Sequence, residues 1–417
     1  MRILWITNIV FPEAEQLITG DGSLKASGGW LLGAAALLCR DQNVELAVAA
    51  PTKLVQGLSV LKGEKMRYYL FSLGKGNLKY NRNYEFYWKK IKDDFLPDVV
   101  HIHGTEFTHG LAYVNACGAS HVVVSIQGLM SAYRYHHLGL SNWDIIQGMT
   151  IRDLIKGSIF QDCNSFKHRA LMENELILKV AHVIGRTSWD SARVWQMNSE
   201  VNYYKCNETL RPEFYSGPYW TYEKCCKHSI FLSQAAYPIK GLHQLLKALP
   251  FILKEYPDTI VRIAGDDITQ KHFFKGFIPF ISGYGNIIMK MIKTLHLEER
   301  ICFVGNLNAE EMKLEYLKCN VFVCPSSVEN SPNSVGEAQI LGTPCVCSYA
   351  GGIPDMMKGD EDHLYRFEEI AMLARCICDV FSREAHQTNM RNQALIRHNG
   401  ETNVKALLNI YTQICQS

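Results

Sequence analysis

Short β-branched or apolar runs alternate along the chain with longer amphipathic stretches, the pattern of parallel strands joined by crossover helices. A parallel pair cannot be closed by a tight turn, so each strand commits the residues after it to a return across the sheet. In the first half the strands are expected at Arg2–Thr7, Val44–Ala49, Val99–His103, His121–Ile126 and Val180–Ile184. The second half repeats the pattern at Ser229–Ser233, Ile260–Ala264, Ile301–Val304, Val321–Cys324 and Pro344–Cys347. Between the two sets, Asn207–Lys227 is rich in Pro, Gly, Tyr and Glu and has no sustained period, so it reads as a linker. The expected fold is α/β, two doubly wound parallel-sheet domains facing each other across a cleft. Their bounds are 1–206 and 228–390, with a C-terminal helix over 391–417 packing back toward the first domain.

Composition narrows the function. With 47% hydrophobic and 20% charged residues the chain is globular rather than disordered or fibrous. Lys and Arg total 43 against 41 Asp and Glu, too even a balance for sequence-independent binding to nucleic acid. The 14 cysteines are spread through apolar runs such as Ile301-Cys302-Phe303 and lack the two-residue gap of a zinc knuckle, so they read as buried thiols, with no metal expected. The opening run Met1–Asn8 reads as a strand, too short for a signal segment, and no stretch reaches the roughly 18–20 apolar residues of a membrane span. A cytoplasmic location is expected, with peripheral contact to the inner face of the cell membrane.

In open α/β sheets ligands bind beyond the carboxyl ends of the strands, so the residues just after each strand carry the information. Gly28-Gly29-Trp30 opens an apolar helix; its amides can approach an anion, or the glycines form a plain turn. His101-Ile102-His103-Gly104-Thr105-Glu106 follows, with both histidines on one strand face, as a general base or ligand on one reading and hydrogen-bonded core residues on the other. Gln127 puts an amide at the next strand exit, able to orient a hydroxyl but not to take a proton. Past Val321–Cys324 lies Pro325-Ser326-Ser327-Val328-Glu329-Asn330-Ser331-Pro332-Asn333-Ser334-Val335-Gly336-Glu337, rich in groups that bond hydroxyls and carrying two carboxylates. Gly351-Gly352 offers a second close backbone approach, and Lys240-Gly241 precedes a helix where a cation can neutralise a diphosphate. Jointly these point to a polar ligand linked to a nucleotide.

The Glu329-x7-Glu337 spacing, followed by Gly342-Thr343-Pro344 and Gly351-Gly352-Ile353-Pro354-Asp355, resembles the retaining glycosyltransferases of family 4, which have the GT-B fold. Supporting matches are Pro97–Gly104, Gly28-Gly29-Trp30, Lys240-Gly241, Ala264-Gly265-Asp266 and Phe303–Leu307. The resemblance implies a hexosyltransferase that moves a sugar from a nucleotide diphosphate sugar to a glycan or lipid-linked glycan, as in capsule, lipopolysaccharide or exopolysaccharide assembly. The first domain would then be the acceptor side and the second the donor side. It implies that Glu329 meets the transferred sugar, that Glu337 binds the ribose, that Lys240 holds the diphosphate with backbone groups around Val335 and Gly336 and around Gly28-Gly29, and that Asn333, Ser334 and Gln127 also bind the donor. Front-side displacement on this plan needs cations and N–H donors on the leaving group, and no metal or other cofactor.

Two departures from the family pattern stand out. Ser233-Gln234-Ala235-Ala236 has no Arg where the family carries one, so Arg186 is the expected second cation, with Arg211 in reserve. Gln127 stands where the family often has His, which shifts histidine contacts to His103 as a catalytic residue. Two other readings of the same motifs are a nucleotide-sugar epimerase and a non-catalytic nucleotide-sugar-binding subunit. Two surfaces combine basic and aromatic residues: Lys62–Lys92, with nine Lys or Arg against two acids, and Lys271–Lys293, with none. Each suits an anionic membrane interface, and the first suits somewhat better a solvated helix with its aromatics in the core.

Overall fold

The computed structural model describes residues 1–20, 29–74, 80–134, 139–270, 272–274, 278–383 and 390–416. Eight strands make one sheet: β1 (Arg2–Ile6), β2 (Glu45–Thr52), β3 (Leu58–Lys62), β4 (Arg67–Ser72), β5 (Val99–His103), β6 (Val122–Ser125), β7 (His182–Gly185) and β8 (Asn202–Lys205), in spatial order 3-4-2-1-5-6-7-8. All pairs are parallel except β3 with β4. In the second half β9 (Ser229–Leu232), β10 (Ile260–Ala264), β13 (Ile301–Gly305), β14 (Val321–Cys324), β15 (Cys345–Ser348) and β16 (Leu364–Tyr365) form a parallel sheet in order 13-10-9-14-15-16. A separate antiparallel pair joins β11 (His272–Phe274) to β12 (Ile278–Phe280).

Every expected strand is present, to within two residues at its ends except β2, which runs three residues past the expected Ala49. The edge strands β3, β8 and β16, the β4 strand that joins β3 to the sheet, and the β11–β12 pair were not anticipated, because runs of two to six residues leave little period to read. The central strands are buried on both faces, with helices on each side. Leu4 and Ile6 of β1 pack into one apolar layer while Ile3 and Trp5 pack into the other, the period-two alternation of a doubly covered sheet.

The chain divides into two compact units. Unit 1 is Met1–Arg134, Ser165–Arg211 and Arg397–Ser417; unit 2 is Tyr135–Asn164 and Pro212–Ile396. This differs from the sequence-based bounds 1–206, 207–227, 228–390 and 391–417. Residues 135–164 belong to unit 2, where Asp153 accepts the amide of Gly283 at 3.0 Å and Asn286 donates to the carbonyl of Gly148 at 3.0 Å. The expected linker is divided between the units. Its Phe214 is fully buried, and the Lys313 ammonium grips the carbonyls of Glu213 and Ser216 at 2.8 Å each. The expected single C-terminal helix is two, Met390–Arg397 and Gly400–Gln416.

The basic-aromatic stretch 62–92 resolves toward the core reading: Tyr68, Tyr69, Phe71, Tyr84 and Trp88 are buried, while Phe86 is exposed beneath Lys90. In the stretch 271–293, Lys271, Lys275 and Phe277 lie outside the described residues, and Ile281, Ile287, Ile288 and Ile292 are buried in unit 2. Seven of the fourteen thiols are buried, six are half-buried, and Cys226 is exposed, so the expectation of buried thiols holds for half of them. Among the described residues, no helix is long and apolar enough to cross a membrane.

Helix Gly400–Gln416 is pinned to the unit 1 sheet by a buried polar chain. The Trp5 indole donates to the Tyr411 hydroxyl at 2.9 Å, and that hydroxyl lies 2.5 Å from Nδ1 of His101, whose Nε2 lies 2.5 Å from Oγ of Ser125. Because the phenol oxygen already accepts from Trp5, its proton goes to His101 Nδ1, which leaves the imidazole proton on Nε2 for Ser125. Tyr411→Phe removes the centre of this chain and strands two buried polar groups, at about 1–3 kcal/mol each. Urea denaturation should show a stability loss of that order, and an unchanged midpoint would show that the hydroxyl does not hold the helix.

Candidate functional site

The two sheets share one topological property. In unit 1 the chain winds outward in one direction from β1 and in the other from β5; in unit 2 it does so from β9 and β14. Such a reversal opens a crevice beyond the carboxyl ends of the two central strands. In unit 2 the residues delivered there are Ser233–Lys240, after β9, and Pro325–Glu329, after β14.

The β9 exit turns through a 3-10 segment, Pro238–Lys240, into helix Leu242–Glu255, and Gly241 at the junction has φ +74°. A Cβ there would stand 1.7 Å from the carbonyl oxygen of Pro325, so only glycine permits the two strand exits to approach this closely. The Ser327 amide then donates to the Ile239 carbonyl at 2.8 Å and stitches the exits together. The β15 exit closes on the same loop. Gly351, at φ +57°, would put a Cβ 1.8 Å from the Glu329 carbonyl oxygen, and the Gly352 amide donates to that oxygen at 3.0 Å.

This backbone frame brings Lys240 and Glu329 together across 89 residues of sequence, ammonium to carboxylate Oε1 at 2.6 Å. Ser326 donates to the same oxygen at 2.8 Å, and its own carbonyl accepts from Ser348 at 2.5 Å. Burial alone would lower the Lys240 ammonium, but the charge of Glu329 outweighs it and holds the lysine above its ordinary value, protonated across the neutral range. Burial also pushes the Cys324 thiol beneath the pair up to about 12, which leaves it neutral.

Helix Asn333–Leu341 begins just past this pair with no side chain capping its first turn. The Val335 amide is spent on the Pro332 carbonyl at 3.0 Å, which leaves Asn333 and Ser334 at the open end. Oδ1 of Asn333 is buried without a hydrogen-bond partner. Glu337 sits one turn further in and is buried. A cation, an uncapped helix start and hydroxyl-bonding side chains are groups with which a polar anion can be bound.

Unit 1 carries the remaining residues singled out from the sequence. Gly28 lies outside the described residues; Gly29 begins helix Gly29–Leu38, with the Arg211 side chain against it. A recess opens among Trp30, His103, Gln127, Arg186, Glu208 and Thr209. His101 and His103 share one face, as the strand period predicts, with ring centroids 3.7 Å apart. Their roles separate: His101 belongs to the buried chain with Tyr411, whereas His103, 5% exposed, has both ring nitrogens unpartnered. Burial pushes His103 well below its ordinary value, with His101 and Arg186 adding to the effect.

Arg186 is 6% exposed and ion-paired with Glu208, which also accepts from the Gln127 amide at 2.7 Å. The expected second cation is therefore neutralised within unit 1. Sequence reading missed Glu208 because it lay in the supposed linker; the pairing of β7 with β8, Gly185 beside Lys205, brings it to Arg186. Ser326, at a strand exit, was legible in principle. So was Glu106, whose carboxylate accepts the Gly128 amide at 2.9 Å and is raised to about 7 by burial.

Residues 227–397, most of unit 2, match the family model described as Glycosyl transferases group 1. The glycosyltransferase YqgM of Bacillus subtilis is 24% identical over 182 residues, 42% of this chain and 46% of its own. A GDP-mannose-dependent alpha-(1-6)-phosphatidylinositol monomannoside mannosyltransferase of Mycolicibacterium smegmatis is 26% identical over 125 residues, 28% of this chain and 29% of its own. The chain thus spans less than half the length of these curated relatives. Sucrose-phosphate synthase from Thermosynechococcus elongatus superposes with a TM-score of 0.68 at 14% identity, over 99% of each chain. That likeness is one of fold, and the two Rossmann-like parallel-sheet units are of the GT-B class.

The buried histidines give unit 1 an acid sensitivity. Burial lowers His101 from 6.5 to about 3, so the unfolded chain takes a proton that the folded unit refuses. The stabilisation is complete above pH 6.5 and is lost as the pH falls through 6.5 toward 3. By pH 5 the loss from this one group is roughly 2 kcal/mol. Denaturation at pH 7 and pH 5 should show a smaller pH difference for His101→Gln than for the native chain, and equal differences would refute the assignment.

Proposed function

We propose that the protein is a retaining, metal-independent glycosyltransferase of the family 4 type. It moves a hexose-type sugar from a nucleotide diphosphate sugar to a glycan or lipid-linked glycan acceptor in the assembly of a surface polysaccharide. The observation that carries the reading is the Lys240–Glu329 pair beside an uncapped helix start, inside the segment that matches the glycosyltransferase model. The mannosyltransferase relative, whose name specifies a GDP-mannose donor and a phosphatidylinositol mannoside, supports a sugar nucleotide and a lipid-linked acceptor. A cytoplasmic location fits a sugar nucleotide donor.

On this reading the diphosphate takes the Lys240 ammonium from Glu329 and meets the first-turn amides of Asn333 and Ser334. Charge that develops on the departing phosphate is stabilised by groups already in place, which is where most of the rate arises. Glu329, released from Lys240, faces the reacting side of the sugar, and Glu337 binds the ribose hydroxyls. The acceptor hydroxyl attacks the same face that the diphosphate leaves and passes its proton to a diphosphate oxygen, so configuration is retained. For unit 1 the reading assigns donor contacts to Gly28, Gly29, Gln127 and Arg186 and keeps His103 as a neutral hydrogen-bonding group. Arg186 serves only if Glu208 gives it up, and Arg211, beside Gly29, is the alternative cation.

A non-catalytic nucleotide-sugar-binding subunit is the second reading, favoured by the neutralised Arg186 and the missing Arg at Ser233–Ala236. The two separate in one assay: a panel of nucleotide diphosphate sugars, without metal, followed by thermal stabilisation and by release of the nucleotide diphosphate. The transferase should be stabilised by one donor and release its diphosphate slowly; stabilisation with no release, even with acceptor glycans supplied, would favour the subunit. Glu329→Ala should lower transfer on the order of 100-fold or more with donor affinity nearly kept, whereas Lys240→Ala should weaken both. Normal transfer by the Glu329 variant would remove that residue from the reaction.

A further inference from the structure

Residues 142–156 of unit 2 form two short helices whose apolar faces point the wrong way for a water-facing surface. In helix Ile151–Lys156 the residues at i, i+3 and i+4 are Ile151, Leu154 and Ile155, exposed by 50%, 74% and 62%. Its acid, Asp153, is turned inward at 4% exposure, where it accepts the amides of Thr150 and Gly283 at 3.1 and 3.0 Å. Helix Asn142–Gly148 repeats the inversion, with Trp143 and Ile146 exposed by 65% and 50%. Both helices are anchored, the first by Asp153 and the second by the Asn286 side chain on Gly148, so the exposure is built into the unit rather than a frayed end.

Soluble surfaces rarely gather large apolar groups at this density without a partner. The rim tells which partner. Lys156 is exposed, its ammonium 5.2 Å from the ring centroid of Phe280 on β12, and Lys290 and Lys293 are exposed on helix Gly283–Thr294, which carries no acid. Lys290 reaches the carbonyl of Gln147 at 2.9 Å, which ties this cationic helix to the apolar one. The exposed acids close in sequence to the two apolar helices are Asp144, already accepting the amide and hydroxyl of Ser141, and Asp162, while Glu298 and Glu299 follow the lysine-bearing helix. Apolar side chains with a tryptophan among them, bordered by lysines, match the headgroup region of an anionic bilayer, where each apolar group gains by burial and each ammonium by a phosphate.

We propose that this face of unit 2 docks on an anionic lipid bilayer, with Trp143, Ile146, Ile151, Leu154 and Ile155 set among the headgroups. The inference stands apart from the sugar-transfer reading, since it uses none of its residues. The test is flotation of the full chain with vesicles of phosphatidylcholine alone and with added phosphatidylglycerol, in the absence of any sugar nucleotide. Binding should require the anionic lipid, and the doubly substituted Leu154→Ser, Ile155→Ser chain should bind about tenfold or more weakly. Lys156→Glu with Lys293→Glu should lower binding to the anionic vesicles and make it insensitive to salt.

Native binding unchanged by both pairs of substitutions, or no binding to either vesicle, would overturn the proposal. So would a native dimer in sedimentation velocity that the serine variant dissolves, which would make a second copy the occupant. Thermal stabilisation by the donor sugar nucleotide should be equal in all variants, so failure of membrane docking and failure of the transferase reading register in different assays.

Discussion

Two close contacts between backbones hold the unit 2 site together: Gly241 against the Pro325 carbonyl and Gly351 against the Glu329 carbonyl. They draw the exits of β9, β14 and β15, neighbours in the sheet, into one cluster of loops. Everything chemical at the site follows from that cluster. Lys240 is brought to Glu329, Ser326 is set to bond the same carboxylate oxygen, and helix Asn333–Leu341 starts with its first turn uncapped beside them. A side chain at either glycine would collide with the facing carbonyl and force apart the exits that the Ser327–Ile239 and Gly352–Glu329 hydrogen bonds join.

The pair also shows how an apolar surrounding can hold charge. Moving either ion alone into this partly buried position would be costly, and each is tolerated because the other is 2.6 Å away. The resting pair keeps the lysine charged beside the start of helix Asn333–Leu341. Unit 1 treats its ionisable groups in the opposite way. His101 and His103 are kept neutral by burial, and Arg186 is neutralised by Glu208. The two units therefore present different surfaces to a ligand, a charged one in unit 2 and a largely neutral, hydrogen-bonding one in the recess of unit 1.

Much of this was legible in the chain. The strands that form the centre of each sheet announced themselves by β-branched runs, and the E-x7-E spacing with its glycine turns marked the loops at their exits. Other features left no local trace. Glu208 looked like linker because its partner, Arg186, is named only by the pairing of β7 with β8. Tyr411 sits in an ordinary amphipathic helix, and nothing near it in sequence says that its hydroxyl joins Trp5 to His101. The aromatic residues of 62–92 suited a core somewhat better than a membrane, and packing placed most of them in the core.

By itself the sequence determined the alternation of strand and helix, and with it two parallel sheets whose carboxyl edges carry Lys240, Glu329 and the glycine loops. Those are properties of local period and residue type, which a single segment possesses before it meets any other. The tertiary structure alone decided which charges are free and which are spent, which of two adjacent histidines bonds and which stays open, and which apolar faces are covered. Those depend on residues far apart in the chain being brought within a few ångströms, and Coulomb and hydrogen-bond energies at that range are set by the partner rather than by the residue.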